Sequence, residues 1–229
     1  MKINEIGEYE KINIIVLGNS TVGKTCFILR YTENFFQPIY LTTCGIDSKF
    51  KYITLSNSKS YKAIFYDTAG QERHRAISLN QIKSSDGILL MYDVTNQKSF
   101  DAIKGWMESI REIKGNNFPI TLVGNKIDLK KDRKISQING QNLADSYGIN
   151  FFEISNKTGE NVEEASLDLI NKISDFLERG ITFNIKNDKT SVVLNKKTIK
   201  TREKKKCCWK IKLGIFNSNN IYKYNLINI

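Results

Sequence analysis

The sequence of 229 residues lacks any long apolar run, and this absence limits where the chain can reside. No stretch of 18 or more apolar residues occurs, so no segment is expected to cross a bilayer as a helix. The first twelve residues, MKINEIGEYEKI, have no apolar signal core and carry acids, so secretion is not expected. A cytoplasmic location is therefore predicted.

Cysteine and histidine are also scarce. The four cysteines, Cys26, Cys44, Cys207 and Cys208, show neither disulfide nor zinc-site spacing, which suits a reducing cytosol. The single histidine, His74, gives little basis for histidine catalysis or a metal centre.

The net charge of +11 belongs to one end of the chain. Residues 1–182 carry 23 Lys/Arg and 22 Asp/Glu, whereas residues 183–229 carry 12 Lys/Arg and 2 Asp/Glu. A basic nucleic-acid groove on the nearly neutral body is therefore not expected, and no nucleic-acid partner is predicted for it. Electrostatic attraction of the tail to an anionic surface stays open.

Apolar segments rich in β-branched residues alternate with amphipathic segments, a pattern typical of βαβ units. Only a short turn, 56–60, separates the second and third strands, so these two should form an antiparallel hairpin. The prediction is a three-layer α/β sandwich around a six-stranded mixed sheet. The predicted strands are Ile12–Leu17, Ile46–Leu55, Lys62–Tyr66, Gly87–Tyr92, Ile120–Val123 and Phe151–Ile154.

Segments with helical periodicity lie between and after the predicted strands, up to residue 180. Beyond Gly180 the periodicity is lost and Lys, Asn and Thr dominate. We therefore predict one domain over residues 1–182 and a basic, disordered tail over 183–229. The predicted helices are Lys24–Tyr31, Ser99–Lys114, Ser136–Tyr147 and Asn161–Arg179.

The first predicted strand runs directly into a GxxxxGK[ST] motif, Gly18 to Thr25. In the order strand, loop, helix, this motif predicts a phosphate-binding loop whose backbone N–H groups surround the β-phosphate. Lys24 adds a cation for the β- and γ-phosphates, and the Thr25 hydroxyl suits Mg²⁺. Nucleotide contacts are expected from Gly18, Ser20, Thr21, Val22, Gly23, Lys24, Thr25 and Cys26.

A second motif predicts which base is bound. Asn125, Lys126 and Asp128 form an NKxD sequence directly after an apolar strand, at the carboxyl edge of the sheet where ligands bind. The Asp128 carboxylate can accept hydrogen bonds from N1–H and the exocyclic amine of guanine. Adenine presents a different edge and would leave a carboxylate unpaired.

A third motif, Asp67-Thr-Ala-Gly-Gln-Glu72, stands at another strand end. Asp67 can hold Mg²⁺ through a water molecule, and Gly70 can offer its N–H to the γ-phosphate. Gln71 can orient an attacking water, which is the positioning role that phosphoryl transfer needs.

With these three motifs, residues 9–179 resemble the small GTPases of the Ras superfamily. The resemblance implies GTP or GDP with Mg²⁺ as ligands, and GTP hydrolysis to GDP and phosphate. It places Thr43 as a Mg²⁺ ligand of the GTP state, beside Thr25 and Asp67, and Phe36 as the aromatic ring on guanine. Ser155, Asn156 and Lys157 match the third base-contacting loop, where Ala is usual at the middle position. The catalytic residues implied are Gln71, Lys24 and Thr43.

Within that superfamily the chain most resembles the Rab branch. The sequences Tyr66–Arg73 and Leu90–Thr95, the spacing of Ser99-Phe100 to Trp106, and the double cysteine after lysines carry this resemblance. Ser20 stands at a loop position where Rabs often differ from Ras itself, which implies slow intrinsic hydrolysis. The Rab type implies an exchange factor, an activating protein, effectors and a role in membrane-vesicle traffic.

The surface that Rab effectors recognise departs from the family pattern. Ser48, Tyr66 and Gln81 stand where Phe, Trp and Tyr are typical, while Cys44 and His74 replace Ile and Phe. Since aromatic anchors supply much of an interface's energy, we predict a changed set of effectors. The alternative is sequence drift with a preserved mode of binding.

The end of the chain departs as well. Lys204–Lys206 with Cys207 and Cys208 resemble the prenylated double cysteine of Rabs, but residues 209–229 follow them. The extension is retained and leaves the pair unprenylated, or it is removed by processing, or it is an error of the gene model. Prenylation after shortening, with peripheral attachment to the cytosolic face of an endomembrane, is slightly favoured.

Two other functions remain alternatives at this level. One is a GTP-loaded scaffold with little hydrolysis and divergent effectors, against which the presence of Gln71, Thr43 and Asp67 argues. The other is nucleic-acid binding by the basic tail.

Overall fold

The computed structural model describes residues 9–36, 46–68 and 75–180. The predictions for Cys44, His74 and residues 183–229 lie outside the described residues. The described strands are β1 Glu10–Leu17, β2 Ile46–Thr54, β3 Ser60–Thr68, β4 Gly87–Asp93, β5 Ile120–Asn125 and β6 Asn150–Ile154. The described helices are α1 Lys24–Glu33, α2 Arg75–Ser84, α3 Gln97–Lys114, α4 Gln137–Tyr147 and α5 Val162–Glu178.

The strands form a six-stranded sheet in the order β2-β3-β1-β4-β5-β6. β2 pairs with β3 antiparallel, and the other neighbouring pairs are parallel. The predicted hairpin and the mixed sheet are confirmed. β3 is longer than predicted, because pairing with β2 continues from Ser60 to Thr68.

Side chains that alternate along the strands fill two apolar layers, one on each face of the sheet. On one face, Ile14 and Val16 of β1 pack with Phe27 of α1 and with Leu169 and Ile173 of α5. On the other face, strand residues pack under α2, α3 and α4 through Ile82, Ile103, Met107, Ile110 and Ala144. The three-layer α/β sandwich is therefore confirmed.

The starts of two helices are set by capping side chains rather than by the first apolar residue. Asn96 accepts a hydrogen bond from the Ser99 N–H, so α3 begins two residues before the predicted Ser99. Ser136 caps α4 in the same way by accepting from the Asn139 N–H. α2 was absent from the predicted helices and is an addition from the structure.

The strand order reverses at β1, which lies between β3 and β4. In open α/β sheets, ligands bind beyond the carboxyl ends of the strands at such a reversal. β1, β3 and β5 deliver their carboxyl ends to this edge, and each leads into one of the three motifs. Within the described ranges, no helix is both long and apolar enough to cross a membrane.

Candidate nucleotide-binding site

The phosphate-binding loop joins β1 to α1 and requires glycine at both of its ends. Gly18 has φ 142° and Gly23 has φ 103°, a region that side chains disfavour. A Cβ on Gly18 would lie 2.1 Å from the Met91 carbonyl oxygen. The loop is therefore packed against β4 so closely that only glycine fits at its start.

Lys24 begins α1 and folds back across the loop. Its Nζ donates hydrogen bonds to the carbonyl oxygens of Gly18 at 3.0 Å and Asn19 at 2.8 Å. The side chain is buried, and this burial lowers the pKa of Lys24 to about 8, opposed in part by the Asp67 carboxylate. The amine is thus held against the loop that is predicted to surround phosphate.

Two of the predicted Mg²⁺ ligands are in direct contact. The Thr25 hydroxyl donates to Oδ2 of Asp67 at 2.7 Å, and Asp67 is buried near the end of β3. Hydroxyl and carboxylate oxygens are ligands that suit Mg²⁺. In the described part of the chain, no group of three or more His, Cys, Asp or Glu forms a metal cage. A threonine hydroxyl beside one carboxylate fits Mg²⁺, which usually takes one or two protein oxygens together with phosphates and water.

Asn125 joins the NKxD loop to the phosphate-binding loop. Its buried side chain donates from Nδ2 to the Val22 carbonyl oxygen at 2.8 Å. Its Oδ1 accepts a hydrogen bond from the Asn156 N–H at 3.3 Å. One carboxamide therefore contacts both the loop predicted for phosphate and the third loop predicted for the base.

Ser155 orients Asp128. Its hydroxyl donates to Oδ1 of Asp128 at 2.7 Å and accepts from the Thr158 N–H at 3.1 Å. This hydrogen bond fixes the direction of the carboxylate that is predicted to read guanine. Lys126 has φ 73°, and its Nζ lies 2.6 Å from Oδ2 of Asp93.

Arg30 connects helix α1 to the third loop predicted to contact the base, which contains Asn156 and Lys157. It donates from Nε to the Asn156 carbonyl oxygen at 2.8 Å and from Nη2 to the Lys157 carbonyl oxygen at 2.9 Å. Its guanidinium carbon lies 5.9 Å from the ring centroid of Phe36. α1 therefore supports both the phosphate side and the base side of the candidate site.

The remaining predicted residues divide into two groups. Ser20 is half-buried and Thr21 is exposed in the loop, while Cys26 is half-buried in the first turn of α1, where burial raises the pKa of its thiol. The second group lies outside the described residues and comprises Thr43, Gly70, Gln71, Cys207 and Cys208.

Three residues that support the site were not among the predicted site residues. Asp93 pairs with Lys126, Arg30 holds the third loop, and Trp106 donates from Nε1 to Oδ1 of Asn19 at 3.2 Å. The position of Asp93 at the end of a buried strand gave a signal in the sequence. Trp106 was noted for its spacing from Ser99, but its contact with Asn19 was not predicted, and Arg30 gave no signal, because each reaches a partner far away in the chain.

A strand, glycine loop and helix with a buried lysine, joined by Asn125 to an NKxD loop, define the class of nucleoside-triphosphate-binding α/β proteins. Comparison with known proteins narrows the class. The sequence profile of the Ras family matches residues 13–175.

Three curated relatives are similar over most of the chain. "GTP-binding protein ypt2" of Schizosaccharomyces pombe is 39% identical over 187 residues, which cover 78% of this chain and 93% of the relative. Human "Ras-related protein Rab-3A" is 40% identical over 168 residues, covering 73% and 76%. Human "Ras-related protein Rab-8B" is 42% identical over 166 residues, covering 72% and 80%. The chain belongs to the Ras family and is a Rab-type small GTPase.

Proposed function

We propose that the protein is a Mg²⁺-dependent GDP/GTP switch that hydrolyses GTP and acts in intracellular vesicle traffic. The observation that carries the proposal is the 2.8 Å hydrogen bond from Asn125 Nδ2 to the Val22 carbonyl oxygen. It ties the loop suited to phosphate directly to the loop suited to guanine. A single nucleotide can therefore contact both.

Guanine selectivity is assigned to Asp128. Its carboxylate, held by Ser155, accepts from N1–H and the exocyclic amine of the base. Asn125 and the aliphatic stem of Lys126 complete the contacts, with Phe36 against the ring and the Asn156 N–H directed to the guanine oxygen. A buried acceptor left without a donor disfavours adenine.

The phosphates are assigned to the loop N–H groups and Lys24. Thr25 would hold Mg²⁺ through its hydroxyl and Asp67 would hold it through a water molecule, joined in the GTP state by Thr43. When bound, Mg²⁺ neutralises charge on the β- and γ-phosphates. The Lys24 ammonium exchanges its carbonyl partners in the loop for phosphate oxygens, which are stronger acceptors because they are charged.

Hydrolysis is assigned to positioning rather than to covalent catalysis. Gln71 orients a water for attack on the γ-phosphorus, the bond to the β–γ bridging oxygen breaks, and GDP and phosphate leave. Lys24 and backbone N–H groups stabilise the charge that develops on the phosphate oxygens. Loss of the γ-phosphate releases Thr43 and Gly70, which converts the switch to its GDP state.

Partners are assigned to the outer face of the β2–β3 hairpin and to α2, the region of Ser48, Tyr66 and Gln81. Ser48 is exposed and lies opposite Tyr66 in the hairpin. Farther along the same face, Phe50 and Tyr52 are each 52% exposed, and the Lys62 ammonium lies over both rings. Of the three usual effector positions, Tyr66 keeps an aromatic ring and Ser48 and Gln81 do not, while two further exposed rings lie farther along the hairpin. This arrangement supports a changed set of effectors. An exchange factor and an activating protein complete the cycle.

Attachment to the cytosolic face of an endomembrane is assigned to Lys204–Lys206 and to Cys207 and Cys208. Two lipid chains would give stable anchoring where one would be marginal. Intact mass spectrometry of the native protein tests this. An unmodified chain ending at Ile229 would eliminate lipid anchoring by this pair.

Single-turnover hydrolysis tests the switch. Protein loaded with GTP and Mg²⁺ should release phosphate slowly alone and faster with an activating protein for Rabs. Retention of GTP without turnover in both conditions would favour the scaffold function instead.

A further inference from the structure

Two asparagine side chains converge on consecutive carbonyl groups of the phosphate-binding loop. Asn125 Nδ2 donates to the Val22 oxygen at 2.8 Å, and Asn156 Nδ2 donates to the Gly23 oxygen at 2.9 Å. A Cβ on Gly23 would lie 2.4 Å from the first nitrogen and 2.9 Å from the second. Both amide groups therefore lie in close contact with Gly23, the last residue of the loop before Lys24.

Asn156 is held through its backbone as well. Its N–H donates to Oδ1 of Asn125 at 3.3 Å, and its carbonyl oxygen accepts from Nε of Arg30 at 2.8 Å. The residue is only 3% exposed. Asn156 therefore contacts the end of β5, helix α1 and the phosphate-binding loop at once.

The orientation of the Asn156 amide follows from its partner. The Gly23 carbonyl is an acceptor only, so the nitrogen must face it. The other amide atom, Oδ1, is buried and finds no hydrogen-bond donor among the residues that the structure describes. Burying an acceptor without a donor lowers stability, and alanine at this position would avoid that loss.

We propose that the Asn156 side chain is a positioning residue that fastens the base-contacting loop to the phosphate-binding loop and thereby slows nucleotide release. The inference rests on the proposed guanine-nucleotide binding. When the Asn156 N–H turns to the base, the bond to Gly23 is the side-chain link that remains between this loop and the phosphates. If either the base-contacting loop or the phosphate-binding loop moves away from the nucleotide, the bond between Asn156 and Gly23 has to break.

Asn161 supplies a matched control. Its Nδ2 also donates to a backbone carbonyl, that of Glu153, at 2.8 Å, but it is exposed and lies outside the phosphate-binding loop. Its φ of 58° is tolerated by aspartate, so Asn161→Asp removes the donor without forcing the backbone.

The test compares the full-length wild type with Asn156→Ala, Asn156→Asp and Asn161→Asp. Each is loaded with the fluorescent analogue mant-GDP in Mg²⁺, and release is timed after adding excess GDP. The thermal midpoint of the nucleotide-free proteins is measured in parallel. A merely structural role would lower that midpoint in Asn156→Ala, whereas removal of the unpaired Oδ1 should leave it equal or higher.

Asn156→Ala should release mant-GDP about 5- to 10-fold faster, the effect of one lost hydrogen bond. Asn156→Asp should be faster again, because it sets an acceptor against the Gly23 carbonyl, and Asn161→Asp should match the wild type. Release from Asn156→Ala at the wild-type rate, or a fall in its nucleotide-free midpoint, would overturn the inference alone. Failure of the wild type to retain mant-GDP would overturn the proposed function and this inference together.

Discussion

The Thr25 hydroxyl donates a hydrogen bond to Oδ2 of Asp67 at 2.7 Å, which joins the first turn of α1 to the end of β3. The two oxygens are thus brought together by the protein itself. Because β1 pairs with β3 over seven residues, Glu10 to Val16, the carboxyl ends of both strands are fixed relative to each other. The two residues proposed to hold Mg²⁺ are therefore brought together by the pairing of β1 with β3.

Thr25→Ala should reduce the dependence of nucleotide retention on Mg²⁺. Loss of an outer-shell partner alone costs about 10- to 100-fold in metal affinity, so loss of a direct ligand should cost at least roughly tenfold. The measurement is the rate of mant-GDP release with Mg²⁺ and with EDTA. Thr32→Ala is the control, since in the described part of the chain the Thr32 hydroxyl donates within α1, to the Ile28 oxygen. Equal effects of EDTA on the wild type and Thr25→Ala would contradict the assignment.

Lys114 should give the protein a pH-dependent stability. Burial lowers the pKa of Lys114 from 10.5 to about 8, opposed in part by Asp86, although its Nζ donates to the Lys83 and Ser85 carbonyl oxygens. At pH values between about 8 and 10.5, the unfolded chain binds more protons than the folded chain. The free energy of unfolding should therefore rise through that window and be lowest below it.

Urea denaturation of Lys114→Gln at several pH values checks this rise. The stability difference between the wild type and Lys114→Gln should grow in favour of the wild type from about pH 8 to 10.5. Lys104 lies on the exposed face of the same helix, so the free energy of unfolding of Lys104→Gln should change with pH in the same way as that of the wild type. A difference that stays constant with pH in Lys114→Gln would contradict the pKa assignment.

Gln71→Leu should slow hydrolysis strongly while GTP stays bound. A water that is no longer oriented costs on the order of 10²-fold in rate, whereas the contacts to base and phosphates are untouched. Single-turnover phosphate release and mant-GTP affinity are measured together. Gln141→Leu, on the exposed surface of α4, is the control. A variant that loses affinity and rate in equal proportion would show that Gln71 binds nucleotide rather than positions water.

Effectors that read an aromatic patch at the usual Rab positions should bind this protein weakly. Ser48 offers little apolar area where an aromatic anchor can contribute about 2 kcal/mol or more. Ser48→Phe should therefore strengthen binding to a purified panel of Rab effectors in the GTP state. Thr54→Phe adds the same ring to an exposed position on the same face and should not. Ordinary GTP-dependent binding of the panel to the wild type would contradict the changed-effector prediction.

The strands were predictable because buried parallel strands read as apolar runs, such as Gly87–Asp93, all of whose residues are buried. Helix α2 was not predicted. Its sequence, RAISLNQIKS, spreads few apolar residues among polar ones and offers no sustained helical stripe. The helix is positioned instead by tertiary packing, in which Ile82 joins the apolar layer beneath α3.

The candidate site was predictable where a motif is local and not where a contact is distant. Gly18 to Thr25 and Asn125 to Asp128 are read from short spacings that the phosphate and the base impose. The hydrogen bond from Arg30 to Asn156 spans 126 residues. The sequence alone does not distinguish Arg30 from the many other lysines and arginines that could donate such a bond. Pairing of that kind is decided by how α1 and the loop before α5 pack, which only the fold specifies.

Guanine recognition by Asp128 is tested most directly by the ratio of affinities for GDP and xanthosine diphosphate, measured by competition against mant-GDP in the wild type and in Asp128→Asn. Xanthine carries an oxygen where guanine carries the exocyclic amine, so it should be rejected by the Asp128 carboxylate and accepted by an asparagine amide. We expect the wild type to prefer GDP on the order of 10⁴-fold and Asp128→Asn to show the reversed preference. Similar affinities of the wild type for both nucleotides, or a variant that keeps the wild-type ratio, would contradict it.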